Sequence, residues 1–155
     1  MQLHVTSPIP KFCAERIMQN PARGRKMITE TQQIIACAQA KFGHQELIKT
    51  ATGELYKTPA WIMNHPVTKW ASQDQQHLFW CVRYLYWLHR LYQGDAFQNV
   101  SQNIDIVLSQ IPKPKQSIKD IVFLNFAKSK QKNLDFTYIK DVFEAYDKFL
   151  KAQNS

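Results

Sequence analysis

The stretch from Ser72 to Gly94, SQDQQHLFWCVRYLYWLHRLYQG, decides the fold class of this chain. Ser72 with Gln75 three residues later has the pattern of a capping box, which predicts that a helix begins there. Apolar side chains then occupy almost the whole circumference of the helix, and Gly94 predicts its end. A helix that is apolar on every side needs neighbours on every side. We therefore predict that it is the central buried helix of a single all-α bundle spanning residues 1–155.

Other helical patterns lie on both sides of this stretch. Asn20-Pro21 predicts a helix start, because asparagine caps well and proline suits the first helical position. Apolar positions repeat at helical spacing from there to Phe42, and Gly43 predicts the end. Further helices are predicted over 12–18, around Phe97–Leu108 before Pro112 and Pro114, over 118–131 with Ser117 as cap, and from Thr137 to Leu150. Residues 1–11 predict an extended arm, 44–60 an irregular loop or small hairpin, and 152–155 a frayed tail.

Composition excludes several classes of protein. The chain has 155 residues, 45% of them apolar, which suits one ordinary core. Its four glycines argue against a glycine-rich phosphate loop and against a turn-dense β-sandwich. No stretch is long and apolar enough to span a membrane, and the N-terminus lacks a signal-peptide layout. Three widely spaced cysteines predict no disulfide framework, so we expect a cytoplasmic protein with no metal and no cofactor.

The net charge of +8 gives the first indication of function. Basic domains of this size often bind nucleic acid, although solubility alone also accounts for such an excess. The excess is densest in residues 1–45, where six bases face two acids. Half of those bases are arginines, which suit bidentate contacts to phosphate.

Glu30 is the first candidate for chemistry. On a helical wheel, Arg23, Lys26 and Glu30 line one flank of the apolar stripe of their helix. A carboxylate beside two cations at the edge of a core can serve as a catalytic acid, base or stabiliser. The alternative is a surface Lys26–Glu30 pair at i,i+4, which contributes only ~0.3–0.5 kcal/mol.

His65 is the second candidate, because it stands in the turn Asn64-His65-Pro66 just before the central helix. It could orient a phosphate, contact an extruded base or act as an acid. The alternative is a structural hydrogen bond within the turn. The aromatic run from Phe79 to Tyr92 could stack bases but is better explained as core, and the lysine-rich segment 138–151 supports either a phosphate-binding surface or inward packing.

Several short motifs follow one another in a recognisable order. They are the run RKMITETQQII at 25–35, Leu55-Tyr56-Lys57, Asn64-His65-Pro66-Val67 with Trp70, Tyr92-Gln93-Gly94, and VFEAY at 142–146. Together they resemble a set of small, mostly phage-encoded proteins related to pyrimidine-dimer DNA glycosylases of the endonuclease V type. The likeness spans residues 10–150 and is clearest in 25–35 and 61–94.

The resemblance implies a monomeric all-α protein that grips duplex DNA and flips out a nucleotide. Its chemistry uses the N-terminal α-amine, here that of Met1, as nucleophile on the deoxyribose C1′, with a helix glutamate that falls on Glu30. A Schiff base forms, the base leaves, and β-elimination nicks the backbone. The predicted DNA contacts are Arg16, Arg23, Arg25, Lys26, His65, Lys69 and Lys148. Two positions depart from the best-known members: the bulky Gln2 favours retention of Met1, and Thr29 stands where a basic residue is expected.

The sequence therefore predicts a glycosylase, with possible lyase activity, for damaged or modified pyrimidines in double-stranded DNA of a bacterial or phage-infected cell. Two alternatives remain open at this point. One is a non-catalytic phage protein that binds DNA or a host partner on the same scaffold. The other is an enzyme that processes modified nucleotides, with the His65 turn as a pocket wall.

Overall fold

The aromatic-rich stretch forms the helix around which the rest of the protein is arranged. The computed structural model describes residues 1–94, 98–112 and 120–153. Within them lie α1 (Pro10–Met18), α2 (Pro21–Lys41), α3 (Ala60–Met63), α4 (Pro66–Gln73), α5 (Gln75–Leu91), α6 (Val100–Gln110), β1 (Lys128–Ser129), β2 (Leu134–Asp135) and α7 (Val142–Gln153). The fold is all-α, as predicted, and the described residues add one two-stranded hairpin that the sequence did not predict.

Helix α5 is the central helix, which confirms the prediction. It packs against α1, α2, α4 and α6. Two of its large side chains, Trp80 and Tyr84, are almost fully buried, whereas Trp87 is half-buried and Arg83 and Arg90 are exposed, so one face of the helix stays partly open. Burial on this scale explains why so aromatic a helix is stable in water.

The predicted start of this helix at Ser72 is wrong, because the helical backbone is interrupted at Asp74 and α5 begins at Gln75. Asp74 is extended, and its carboxylate accepts a hydrogen bond from the backbone N–H of Gln76 at 2.7 Å. Ser72 instead lies in the last turn of the preceding helix α4, where its hydroxyl donates to the carbonyl of Thr68 at 2.9 Å. Because Asp74 is extended and caps α5, α4 and α5 are separate helices.

The N-terminal segment is non-helical, as predicted, but it lies inside the fold. Leu3 and Val5 belong to the hydrophobic core, and the indole N–H of Trp80 donates to the carbonyl of Pro8 at 2.9 Å. The first helix begins at Pro10, so the segment is shorter than the predicted arm. The start of the chain is thus held against the central helix.

Helix α2 begins as the sequence predicts. The side chain of Asn20 accepts a hydrogen bond from the N–H of Arg23 at 3.3 Å, and Pro21 occupies the first helical position. Gly43 follows the helix with φ of +80°, a conformation that side chains rarely adopt. Residues 44–60 contain the small reversal predicted there, with a bridge between Lys49 and Leu55.

The predicted helix over 118–131 is wrong in its described part. Residues 121–127 have no regular secondary structure, and Lys128–Ser129 pairs with Leu134–Asp135 as an antiparallel hairpin. Asn133 takes a left-handed φ of +52°, which asparagine tolerates and which turns the chain. The proposed cap Ser117 lies outside the described residues. The helix predicted around Phe97–Leu108 is confirmed from Val100 onward, while Phe97 itself and Pro114 lie outside the described residues.

The last helix begins at Val142 rather than at Thr137. Asp141 caps it by accepting hydrogen bonds from Phe143 at 3.0 Å and Glu144 at 3.2 Å. Tyr138, predicted to be helical, lies before the helix with 77% of its surface exposed. The helix continues through Gln153, and residues 154–155 lie outside the described part of the chain.

We predict that Asp74, and not Ser72, carries the cap of the central helix. Asp74→Ala should lower the free energy of unfolding by about 1 kcal/mol, because the N–H of Gln76 loses its acceptor. Ser72→Ala should change it by less than about 0.5 kcal/mol, since alanine suits a helix interior. Urea unfolding of both variants measures the difference, and an equal loss in the two would contradict the assignment.

Candidate functional site

A cavity of about 430 Å³ lies between the start of the chain, the first half of α2, the hairpin and the end of α7. Four elements that are distant in sequence therefore share one opening. Its described lining consists of Met1, Gln2, His4, Asn20, Ala22, Arg23, Lys26, Met27, Glu30, Lys128, Ser129, Gln131, Lys132, Phe149 and Gln153.

The cavity brings together four residues that the sequence singled out. Met1, Arg23, Lys26 and Glu30 all line it. Lys26 Nζ lies 3.8 Å from Glu30 Oε1, so the i,i+4 pair forms, and both of its residues line the cavity. The Glu30 side chain is 20% exposed, whereas that of Lys26 is 73% exposed.

Glu30 stands where the cavity meets the core. Burial raises the pKa of the Tyr84 hydroxyl, and the negative charge of Glu30 raises it further. The carboxylate is thus near the central helix on one side and open to the cavity on the other. A carboxylate in that position can act on a bound molecule while its backbone is held by packed helices.

The cavity is strongly cationic. Besides Arg23 and Lys26, the hairpin contributes Lys128 and Lys132, and the chain contributes its α-amine at Met1. Among the described lining residues, Glu30 is the single carboxylate. Such an excess of positive charge in a concave site attracts anions, and phosphate groups in particular.

His4 forms part of the cavity wall as a neutral, buried ring. Burial, followed by the charges of Arg23, the N-terminus and Lys26, lowers its pKa from 6.5 to about 3. Its ring stacks on Phe149 with centroids 5.8 Å apart, and no described residue gives its Nδ1 a hydrogen-bond partner. Its φ of +54° is a left-handed conformation. A strained, buried histidine with an unpaired nitrogen is the sort of feature that is frequent at functional sites.

Five of the predicted DNA contacts do not line the cavity. Arg16 pairs with Asp147 of α7 at 3.3 Å, and Lys148 pairs with Glu144 at 3.1 Å. Arg25 is exposed on α2, and Lys69 lines a separate open groove beside Trp70. His65, the fifth, has its own structural role.

His65 makes the structural hydrogen bond that was the alternative to a functional role. It is the N-terminal cap of α4, where its Nδ1 accepts from the N–H of Val67 at 3.2 Å. Partial burial and the positive charge of the N-terminus lower its pKa. His65 is therefore near the start of the chain, although it does not line the cavity.

The structure adds three site residues that the sequence interpretation missed. Lys128 was placed in the predicted helix 118–131 and Lys132 just after it, although the polar run ending at Lys132-Asn133 is typical of a turn. His4 lies between Leu3 and Val5, and that alternation of apolar residues indicates a packed extended segment. The left-handed backbone of His4 has no signal in the sequence.

Other kinds of site are not visible in residues 1–94, 98–112 and 120–153. No group of three His, Cys, Asp or Glu side chains there is placed to hold a metal ion. The helices in those ranges are too short or too polar to cross a lipid bilayer. All three cysteines are free and buried, and burial raises the pKa of Cys13 to about 11, which disfavours a nucleophilic thiolate.

Comparison with known proteins adds no relative: no protein-family model matches the chain, and no curated protein or solved structure matches it.

We predict that His4 makes the protein less stable in acid. The unfolded chain binds a proton at His4 near pH 6.5, whereas the folded chain binds it only near pH 3, so the free energy of unfolding falls as the pH decreases through that window. The effect is on the order of a few kcal/mol across the window. His4→Asn, which tolerates the left-handed backbone, should flatten this pH dependence in urea unfolding between pH 7 and pH 4.

His89→Asn is the matched control, because His89 is only partly buried and partial burial lowers its pKa. It should change the pH dependence less than His4→Asn does. Parallel stability curves for His4→Asn and the parent would contradict the burial of a neutral His4.

Proposed function

We propose that this chain is a DNA glycosylase with AP-lyase activity on damaged or modified pyrimidines in duplex DNA. The observation that supports this most is that Met1 and Glu30, assigned by the family resemblance to the nucleophile and the assisting carboxylate, line the same cavity. The resemblance places them 29 residues apart in sequence, and the burial of the N-terminal segment brings them to one opening.

In the proposed reaction, the lone pair of the Met1 amine forms a bond to the deoxyribose C1′. The glycosidic electron pair leaves with the base, which takes up a proton. Loss of the amine proton and opening of the sugar ring give a protonated Schiff base. Removal of a proton from C2′ then expels the 3′ phosphate and nicks the strand. Glu30 stabilises the positive charge that develops at the sugar and accepts protons in these steps.

The two cationic walls of the cavity suit the sugar–phosphate backbone. Arg23 and Lys26 stand on α2, while Lys128 and Lys132 stand on the hairpin. A strand running between these walls can present phosphates to both while its sugar faces Met1 and Glu30. Contacts of this kind fix the register of the DNA but do not specify a base.

We predict that Glu30→Gln abolishes trapping. The variant keeps the size of the side chain but removes its charge, so covalent capture of an abasic-site duplex with borohydride should slow by about 100-fold or more. Glu15→Gln is the matched control, because Glu15 is exposed on α1 and does not line the cavity. Equal trapping by Glu30→Gln and Glu15→Gln would refute the assignment.

We predict that a blocked N-terminus also abolishes trapping. A short extension before Met1 removes the α-amine from the cavity and should leave duplex binding within about threefold, since the phosphate-binding side chains remain. The measurement combines borohydride trapping with peptide mass spectrometry of the adduct. An adduct on a lysine instead of Met1 would assign the nucleophile elsewhere.

We predict that the hairpin lysines contact phosphates. Lys128→Gln and Lys132→Gln should each reduce the slope of log K against log salt by about 0.9 for duplex DNA. Lys130→Gln is the control on the same hairpin, because Lys130 does not line the cavity. Fluorescence anisotropy at several salt concentrations measures the slopes. A slope change for Lys130→Gln as large as for the other two would argue against a contact specific to the cavity.

A second candidate is a non-catalytic DNA-binding protein on this scaffold. The Lys26–Glu30 ion pair favours it, because it places a cation beside the carboxylate that catalysis would use. That protein would bind duplex DNA with the same salt dependence but would not be trapped. The third hypothesis, an enzyme that processes modified nucleotides with His65 in the wall of its pocket, has less support, since His65 does not line the cavity.

A further inference from the structure

Gln2 lines the cavity, and its side chain forms hydrogen bonds with residues near the other end of the chain. Its amide N–H groups donate to the carbonyl of Phe126 and, at 3.2 Å, to that of Lys128. Both acceptors flank the start of β1. Gln2 therefore ties the start of the chain directly to the hairpin that carries Lys128 and Lys132.

Tyr146 of α7 extends the same network. Its hydroxyl lies 3.4 Å from Gln2 Oε1 and accepts a hydrogen bond from the N–H of Phe126 at 3.1 Å. Tyr146 is 1% exposed, so this hydroxyl is a fixed point of the core. The hydroxyl proton is shared between Gln2 Oε1 and the carbonyl of Leu124, which is also 3.4 Å away, so the amide nitrogen makes the main contacts of Gln2.

These bonds restrict the α-amine next to them. The peptide between Met1 and Gln2 is planar, so only two soft backbone torsions separate the Gln2 Cα from the amine nitrogen. On the other side of Gln2, Leu3 is 3% exposed and is held in the core. With the side chain and the following residue both fixed, the amine stays within about 5 Å of the Gln2 Cα, at a residue that lines the cavity.

We propose that Gln2 is a positioning residue: it holds the Met1 amine in the cavity by bonding to the carbonyls of Phe126 and Lys128. This inference rests on the proposed function, in which that amine is the nucleophile. Holding a nucleophile close to its reaction geometry contributes to rate without adding a contact to the substrate. Gln2 thereby couples the hairpin that faces phosphate to the group that performs the chemistry.

The choice of substitution matters, because a small second residue leads to removal of the initiator methionine. Gln2→Met and Gln2→Glu are both large, and intact mass identifies the first residue of each protein. Gln2→Met cannot donate to either carbonyl, and Gln2→Glu places a carboxylate against two carbonyl oxygens. Gln19→Met is the matched control, because Gln19 is exposed and bonds to Arg16 away from the cavity.

The first experiment is single-turnover borohydride trapping of an abasic-site duplex at saturating protein. Gln2→Met and Gln2→Glu should lower the trapping rate by about 10-fold or more, with the Kd for the duplex changed less than about threefold. Gln19→Met should leave both unchanged. A residue with only a structural role would alter rate and affinity together or neither, so an equal rate for Gln2→Met and the parent overturns the proposal.

A second measurement needs no activity. Reductive methylation with formaldehyde and cyanoborohydride, followed by peptide mass spectrometry, gives the modification rate of the Met1 amine relative to Lys130. Gln2→Met should raise that ratio about threefold or more, because the amine is released from the cavity. An unchanged ratio overturns the inference even if the parent protein traps no DNA, whereas a raised ratio without trapping supports the role of Gln2 and refutes the proposed function.

Discussion

Burial of the aromatic face of α5 that carries Trp80 and Tyr84 is the constraint on which the rest of this structure depends. A helix that carries Trp80 and Tyr84 in its middle must be covered by neighbouring elements, and α1, α2, α4 and α6 do not cover it alone. The first residues of the chain complete the cover, with the indole N–H of Trp80 bonded to Pro8. Because hydrophobic burial draws this segment inward, Met1 comes to lie beside α2 instead of in solvent.

The electrostatics of the cavity follow from the same packing. Arg23 and Lys26 are held close to one another and to the chain start, and the nearby His4 is kept neutral by burial and by those charges. A neutral imidazole in that wall adds no further repulsion among the cations. Positive charges that are held close together repel one another, and a bound anion reduces that repulsion. The cavity is therefore better suited to binding an anion than to remaining empty.

The sequence predicted those features that depend on local pattern. Asn20-Pro21 set the start of α2, the apolar circumference identified α5, and the helical wheel placed Glu30 at the edge of the core. The errors arose where a stronger local partner competes with the pattern: Asp74 caps α5 in place of Ser72, and Asp141 caps α7 in place of Thr137.

Only one wall of the cavity could be predicted from the sequence. Its α2 wall depends on one helix, so periodicity could find Arg23, Lys26 and Glu30. Its other wall depends on a hairpin whose position is set by long-range contacts, and no spacing rule relates Lys128 to Met1. The asparagine at position 133 was the local signal for a turn, because asparagine tolerates a left-handed backbone. The apolar run before it favoured a helix instead.

The bond between Gln2 and the carbonyls of Phe126 and Lys128 joins residues more than 120 positions apart. During synthesis the chain is made from its N-terminus, so the first wall of the cavity exists long before the second has left the ribosome. The helices α1, α2, α4 and α6, which pack on α5, all end by Gln110, whereas the cavity closes only when the last part of the chain docks. A C-terminally truncated protein would thus lack both the hairpin wall of the cavity and core side chains such as Tyr146 and Phe149, so the site and the core are completed together.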